Sequence, residues 1–129
     1  MLKEMKKITR EYVQAHPEFL FLFGDNLQQQ GYGGQAKAMR GEPNAVGIPT
    51  KKKPTMSDDA FFTDEELEEN KAHIDDAIME ILKKKPDFDR KKHTIIIPAA
   101  GLGTGLAQLP ERAPKTYAYI NKRLREFKK

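Results

Sequence analysis

A glycine-rich loop follows the most apolar β-branched run of the chain. Residues Thr94–Ala99 read TIIIPA, and the loop at Gly101–Leu106 reads GLGTGL. Consecutive β-branched residues are typical of a strand that is buried on both faces. Glycines at alternate positions remove the Cβ atoms that would keep a ligand away from backbone N–H groups. The stretch therefore predicts a buried strand that ends in an anion-binding loop, although a turn that needs positive φ would explain the same glycines.

This loop matches neither of two familiar phosphate motifs. A Walker A motif requires a lysine after its last glycine, whereas Gly105 is followed by Leu106. The next helix is predicted only near Pro114, a residue well suited to a first helical position. A dinucleotide fingerprint requires a third glycine that is absent here. The loop is therefore a candidate anion site of another kind.

Polar segments also follow two other predicted strands. Phe19–Phe23 is an unbroken apolar run, typical of a central strand, and it ends at Gly24-Asp25-Asn26. A second glycine turn, Gly31-Tyr32-Gly33-Gly34, comes next. Asn44–Ile48 predicts another strand, which leads into Thr50-Lys51-Lys52-Lys53. Because ligands of an open parallel sheet bind outside the carboxyl ends of its strands, we expect these segments to share one site.

The combination of acceptors, a cation and two glycine loops suits a phosphate-bearing ribonucleotide. Glycine loops can hold a diphosphate, carboxylate and amide groups can bind hydroxyl or amino groups, and Tyr32 offers stacking or packing. Alternatives remain for each part: Asp25 and Asn26 can form an Asx turn, Tyr32 can pack in the core, and Lys51–Lys53 can be a solvated run. The candidate ligand-binding residues are Asp25, Asn26, Gly31, Tyr32, Gly33, Gly34, Gln35, Gly101, Leu102, Gly103, Thr104, Gly105 and Leu106.

Helical patterns alternate with these strands. Thr9 is placed to cap a short helix that Pro17 stops, and Gln35–Arg40 predicts another. A capping box at Thr63–Glu66 predicts the start of an amphipathic helix that ends at Lys83–Pro86. With the last helix from Pro114, the order predicts a three-layer α/β/α sandwich with a mainly parallel sheet, as one domain over residues 1–129. The irregular stretch from Pro49 to Phe62 predicts a lid or binding loop, with Phe61-Phe62 packed against the body.

The composition excludes several kinds of site. The 129 residues include no cysteine, which excludes disulfides, thiolate metal sites and a cysteine nucleophile. The three histidines, His16, His73 and His93, are far apart, so we expect no metal and no cofactor. No apolar run approaches the roughly 18 residues of a membrane span, and no signal peptide is apparent, so we expect a soluble, cytoplasmic protein without membrane partners.

The basic balance of the chain leaves one alternative open. The net charge is +4, and basic residues cluster at Lys51–Lys53, Lys83–Lys85, Arg90–Lys92 and Lys122–Lys129. Such clusters favour anionic partners, although helix C-termini and solvated faces also carry them. A small nucleic-acid-associated protein with structural glycine loops is therefore the alternative function.

Together, these motifs resemble the macrodomains, a family that binds ADP-ribose. Ile95–Leu106 is similar to the strand and phosphate-binding loop of one branch, and Asn26 with Gly31–Ala36 resembles the ribose-contacting asparagine and glycine loop. Thr50–Thr55 resembles a lysine-containing segment of the hydrolases that release terminal ADP-ribose from glutamate. The resemblance implies a compact macrodomain-like fold that binds ADP-ribose, a related ribonucleotide, or an ADP-ribosylated protein or nucleic acid.

Catalysis is a separate implication of this resemblance. It nominates Lys51 or Lys52 as the amine that captures an electrophile, and Asp25 or Asn26 as the group that positions water. Hydrolases of this branch carry an aspartate directly after the glycine loop, where this chain has Ala107-Gln108. The acid/base expected there is missing, so we expect ligand binding with little or no ADP-ribosyl hydrolase activity.

Overall fold

The strands form one parallel sheet. The computed structural model describes residues 2–84 and 94–128. Within them the sheet has the order β1-β4-β2-β3, and its strands are β1 (Leu2–Met5), β2 (Phe19–Asn26), β3 (Ala45–Lys51) and β4 (Thr94–Pro98). Every pairing between neighbouring strands is parallel. The α/β class with a parallel sheet, predicted from the sequence, is confirmed.

Helices cover both faces of this sheet. The helices are α1 (Arg10–Ala15), α2 (Ala36–Met39), α3 (Leu67–Lys84), α4 (Leu109–Arg112) and α5 (Pro114–Arg125). Side chains of β2 alternate between the two faces, as the pleat requires. Leu20 and Leu22 pack in the core beneath α3 and α5, whereas Phe21 and Phe23 pack with α1 and α2. The three-layer arrangement is therefore confirmed, and the likeness to macrodomains in particular remains a prediction.

Two strands extend further than their apolar runs. Gly24, Asp25 and Asn26 belong to β2, and β3 continues through Pro49 to Lys51. The two strand ends pair with each other across a register shift between Asp25 and Asn26. The apolar runs predict that the polar residues follow the strands. Main-chain pairing instead extends both strands, so that Asp25, Asn26 and Lys51 lie within the sheet. They are consequently held by a ladder and not by a free loop.

The segment after β3 returns along the end of that strand. Lys51 and Phe61 form an isolated antiparallel bridge, and the amide of Lys52 donates to the carbonyl of Ala60 at 2.7 Å. Phe61 and Phe62 are each 1% exposed, which confirms that this pair packs against the body. The irregular stretch is shorter than predicted, because β3 takes its first residues and a 3₁₀ turn forms at Asp58–Ala60.

Strand β1 was not predicted. Its apolar residues Leu2 and Met5 stand at the two ends, with exposed Lys3 and Glu4 between them, so neither alternation nor an apolar run marks it. Pairing with β4, from Leu2 beside Ile95 to Met5 beside Pro98, forms the strand. Charged residues at such an edge also discourage pairing with other chains.

One of the two predicted side-chain helix caps forms. The Thr9 hydroxyl accepts from the amide of Tyr12 at 3.1 Å, which confirms the first cap, and α5 begins at Pro114 as predicted. At Thr63–Glu66 the helical segment begins after Thr63 as predicted, with a 3₁₀ turn at Asp64–Glu66 that runs directly into α3, but the capping box itself is wrong because Thr63 makes no side-chain cap. The predicted helix end at Lys83–Pro86 extends outside the described residues.

The acidic residues of that turn bind distant parts of the chain. The Glu66 carboxylate pairs with Lys52 at 2.5 Å, and the Asp64 carboxylate accepts from the amides of Lys115 and Thr116 at 3.1 and 3.2 Å. Asp64 thereby satisfies the first turn of α5 from another part of the chain. None of the helices in residues 2–84 and 94–128 has the length and apolar character needed to cross a membrane.

Candidate functional site

The three predicted segments meet at one cleft. It lies at the carboxyl ends of β2 and β3 and beside the loop that follows β4, and its volume is about 150 Å³. Ten of the predicted residues line it, namely Asp25, Asn26, Gly31, Gly33, Gly34, Gln35, Lys51, Gly103, Gly105 and Leu106. Sites that enclose a drug-sized ligand typically hold roughly 300–1,000 Å³. This cleft can therefore enclose only part of a nucleotide.

Four predicted ligand residues lie elsewhere. Leu102 is fully buried in the core with α3 and α5, where it anchors the loop. A Cβ atom on Gly101 would meet the Tyr117 hydroxyl at 3.2 Å, and the Thr104 hydroxyl donates back to the carbonyl of Gly101 at 3.4 Å. Tyr32 is 65% exposed, so its predicted alternative as a core residue is wrong. The glycine pattern predicts which segment lies at the cleft, but it does not predict which residues of that segment face the cleft.

The loop after β4 contributes residues with unpaired backbone amides to the lining of the cleft. Gly103 has φ +79° and its carbonyl accepts from the amide of Leu109 at 2.9 Å, which turns the chain into α4. Among the described residues, the amides of Gly103, Gly105, Leu106 and Ala107 donate no hydrogen bond. All four residues line the cleft. Unpaired amides in a concave turn form a typical anion-binding surface.

Gln35 joins this loop to β2. Its side-chain oxygen accepts from the amide of Gly24 at 2.7 Å, and its side-chain nitrogen donates to the carbonyl of Gly101 at 2.9 Å. Gly24 allows the approach, because a Cβ atom there would lie 3.1 Å from the amide nitrogen of Gly103. Gln35 thus fixes the spacing between the two segments, and both ends of its amide are engaged in doing so.

Asn26 has a structural role in the turn that it begins. Its side-chain oxygen accepts from the amides of Gln28 and Gln30 at 3.0 and 3.4 Å, and its side-chain nitrogen donates to the carbonyl of Gln30 at 2.8 Å. This is the Asx-type arrangement that the sequence left open. The side chain therefore shapes the wall of the cleft, with its polar atoms already bonded.

Asp25 forms an ion pair that nothing in the sequence marks. The Arg40 guanidinium contacts both carboxylate oxygens, and the side chains of Asp25 and Arg40 are only 7% and 14% exposed. Arg40 also donates to the carbonyl of Gly31 at 2.6 Å, so it links β2 to the glycine turn. In the sequence Arg40 is merely a cation at the end of a short helix, a common surface position. Only the fold shows that it lines the cleft.

The three consecutive lysines have different surroundings. Lys52 pairs with Glu66 at 2.5 Å and Lys53 pairs with Asp59 at 2.6 Å. Lys51 is 7% exposed and lines the cleft, and no carboxylate of the described residues lies within ion-pair distance of its Nζ. That Nζ lies 3.5 Å from Met56 Sδ and 4.9 Å from the centre of the Phe61 ring. Burial, together with the positive charge of Arg112, lowers the pKa of Lys51.

The position after the glycine loop carries no acid. Ala107 lines the cleft, and the Gln108 side chain accepts from Arg112 Nε at 2.8 Å. Among the described residues that line the cleft, Asp25 is the only carboxylate. The described lining of the cleft therefore combines a buried lysine, loop residues with unpaired amides and a single acid that is already paired.

Comparison with known proteins places the chain in a family. A family model covers residues 3–123, which include β1 except Leu2, all of β2, β3 and β4, and every residue that lines the cleft. The chain belongs to DUF7831, a family of unknown function. No curated protein and no solved structure gives a significant match. Membership of DUF7831 therefore assigns no activity to the chain.

Proposed function

We propose that the cleft binds a phosphate-bearing ribonucleotide, with ADP-ribose as the leading candidate. The observation that carries this proposal is the coincidence of Lys51, a buried cation without a carboxylate partner among the described residues, with the unbonded amides of the Gly103–Ala107 loop. A buried charge without a partner is costly, and an anionic ligand would offset that cost.

The amide-lined turn supports a diphosphate over a single carboxylate. Amides at several consecutive positions can donate to several oxygens at once, as in other phosphate-binding turns. Gly31 and Gly34, both with positive φ, bring a second glycine segment to the same cleft. Two such segments that line one cleft are consistent with two linked phosphates.

A second pocket adjoins the cleft, and it supports the proposal that the ligand is a nucleotide. It shares Gly34 and Gln35 with the cleft and has a volume of about 540 Å³. Its apolar lining includes Ile8, Met39 and Pro98. Apolar pockets with a few polar groups are typical of sites for bases and cofactors. A ligand with its phosphates in the cleft has room beside it for an aromatic base.

The resemblance to macrodomains makes ADP-ribose the first candidate among such ligands, free or attached to a protein or nucleic acid. The proposal is for binding and not for hydrolysis. Asp25 is the only carboxylate on the described lining, and Arg40 occupies both of its oxygens. A general acid/base must reach the reacting atom, directly or through one water.

Calorimetry with ADP-ribose, AMP and NAD tests the proposal, together with thermal unfolding. A ligand that binds only the folded state stabilises it by about 2.7 kcal/mol when present at roughly 100 times its Kd. We expect ADP-ribose to release or absorb heat on titration and to raise the Tm. The absence of both heat and a Tm shift at millimolar ADP-ribose would contradict the proposal. If RNA bound instead, with an affinity that fell steeply with salt, the alternative function would be favoured.

A further inference from the structure

Three loops surround the cleft, and each exposes one large apolar side chain. Tyr32, Met56 and Leu106 are 65%, 52% and 55% exposed. Met56 differs from the other two because its sulfur touches a charged group, Lys51 Nζ, at 3.5 Å. The structure therefore places the thioether of a half-exposed methionine against Lys51, a lysine of the cleft lining that lacks a carboxylate partner among the described residues.

We propose that Met56 is an oxidation site whose sulfoxide holds Lys51 Nζ and withdraws it from the cleft. A thioether is a weak hydrogen-bond acceptor, so reduced Met56 leaves the ammonium free to turn towards an anion. A sulfoxide oxygen is a strong acceptor, and its hydrogen bond to an ammonium is charge-assisted. Oxidation thus replaces a weak contact with a strong one at the same place.

The reaction needs a peroxide and balances simply. A lone pair on Met56 Sδ attacks one oxygen of hydrogen peroxide, the O–O bond breaks, and an S–O bond forms. The sulfur is oxidised by two electrons, the peroxide is reduced, and the second oxygen leaves as water after taking the proton of the transferred hydroxyl. Methionine sulfoxide reductases reverse the change, so the site can return to its reduced state.

The surroundings of Met56 favour retention of the contact after oxidation. The loop that carries it is held by the pairing of Lys53 with Asp59 at 2.6 Å and by a hydrogen bond of 2.8 Å between the hydroxyls of Thr55 and Ser57. The charged group beside Lys51 on the neighbouring element is Arg112, which repels the ammonium. A new acceptor at Met56 would therefore meet no competing carboxylate among the described residues.

The chain provides a matched control. Met79 on α3 is 51% exposed, nearly the same as Met56, and does not line the cleft, whereas Met39 is 1% exposed. Peroxide should therefore oxidise Met56 and Met79 alike and spare Met39. The variants Met56→Leu and Met79→Leu separate the two sites, and both replace exposed side chains, so both should fold.

The test measures the reactivity of the Lys51 amine without any ligand. Parent and variants are treated with hydrogen peroxide, then methylated reductively with formaldehyde, and each lysine is quantified by peptide mass spectrometry. Oxidation of the parent should slow labelling of Lys51 roughly three- to tenfold, because the hydrogen-bonded ammonium is less available as a free amine. Labelling of Lys53 should not change, and sulfoxide reductase should restore Lys51.

The outcomes separate this proposal from the proposed nucleotide function. Met79→Leu should keep the effect and Met56→Leu should abolish it. Unchanged or faster labelling of Lys51 in the oxidised parent would overturn the proposal, as would an effect that persists in Met56→Leu. Because no nucleotide is present, failure of ADP-ribose to bind would leave this result intact. If both proposals hold, oxidation should also weaken ADP-ribose binding in the parent and not in Met56→Leu.

Discussion

Arg40 contacts both carboxylate oxygens of Asp25 and at the same time donates to the carbonyl of Gly31. This arrangement fixes the end of β2 to the glycine turn that forms one wall of the cleft. It also depends on a missing side chain, because a Cβ atom on Gly47 would lie 2.5 Å from Asp25 Oδ2. The pair therefore determines the shape of the site before any ligand enters.

Asp25→Asn should destabilise the fold markedly. The change leaves the Arg40 guanidinium nearly buried without its counter-ion, which costs about 3–5 kcal/mol in comparable pairs. Urea unfolding measures the loss. Glu42→Gln is a suitable control, because it breaks the more exposed pair with Arg10 and should cost far less stability than Asp25→Asn. Equal losses in the two variants would show that the Asp25–Arg40 pair contributes no special stability.

The same pair gives a second measurable quantity. The double variant Asp25→Asn/Arg40→Met removes both charges, so it should be more stable than Asp25→Asn alone. If the double variant lost as much unfolding free energy as Asp25→Asn and Arg40→Met lose in total, the two groups would not be coupled.

Lys51→Met should weaken ADP-ribose binding. A hydrogen bond to a charged group contributes about 1.5–3 kcal/mol, which corresponds to roughly a 10- to 100-fold change in Kd. Lys53→Met is the control, because it removes the same charge from a neighbour that is paired with Asp59. Calorimetry on both variants decides whether the effect is local. Similar losses of affinity in both variants would indicate that the overall charge of the protein attracts the ligand, and not a direct contact with Lys51.

The stability of the ligand-free protein should depend on pH through Lys51. Its pKa is lowered in the folded state by burial and by Arg112, so the unfolded chain binds more protons at this site above the lowered pKa. The cost of burying the ammonium is fully present below that pKa. It disappears as the pH rises towards the ordinary lysine value of about 10.4.

Lys51→Met removes this dependence. The variant should exceed the parent in unfolding free energy most at neutral pH, and the difference should shrink as the pH is raised. Urea unfolding at several pH values, again with Lys53→Met as the control, checks the sign. The raised pKa of Tyr119 makes the folded state less stable as the pH rises, which is the opposite trend. Because Tyr119 is present in the parent and in every variant, this effect cancels in the difference between their unfolding free energies. A difference that grew with pH would contradict this account of Lys51.

Much of the fold could be read from local patterns. The apolar runs before Gly24 and Gly101 are long enough to require burial on both faces, and that requirement alone implies helices on each side of a parallel sheet. Strand β1 could not be found in this way, because Lys3 and Glu4 interrupt it and the strand β4 with which it pairs is distant in sequence. Patterns record local preferences, whereas edge strands depend on a partner that is distant in sequence.

The candidate site was also predictable only where local patterns determine it. Glycine spacing indicated which segments meet, but the separate surroundings of Lys51 and Lys52 depend on where Glu66 lies, and Glu66 is drawn away from its expected cap. Arg40 looks like an ordinary surface cation until the fold places it beside Asp25. The chemistry of charged side chains is set by their partners, and those partners are tertiary contacts.

Gly105→Val is the sharper test of the amide-lined loop. From the sequence alone, Gly103→Val would be expected to block the loop in a folded protein. However, a Cβ atom on Gly103 would lie 3.0 Å from carbons of Leu109 and Thr50, and its φ of +79° adds strain of roughly 1–3 kcal/mol. Gly105 has nothing within 4 Å of such an atom. We expect Gly105→Val to fold normally and to bind ADP-ribose more weakly, and Gly103→Val to lose stability in urea unfolding. Normal binding by a folded Gly105→Val would show that the amides near Gly105 do not hold the ligand.

The last prediction concerns catalysis, and we expect little or no release of ADP-ribose from a glutamate-linked ADP-ribosyl protein. At the position where a hydrolase of the similar branch has an acid, Ala107 lines the cleft and Gln108 is bonded to Arg112. Asp25 is the remaining carboxylate of the described lining, and it can act only if Arg40 releases it. The assay is release of free ADP-ribose by the parent, Asp25→Asn and Lys51→Ala, with Lys53→Ala as the control. Robust activity of the parent would contradict a role limited to binding. In that event loss in Asp25→Asn would assign the proton transfer to Asp25, provided that the variant is folded, whereas loss in Lys51→Ala alone would indicate attack by the lysine amine.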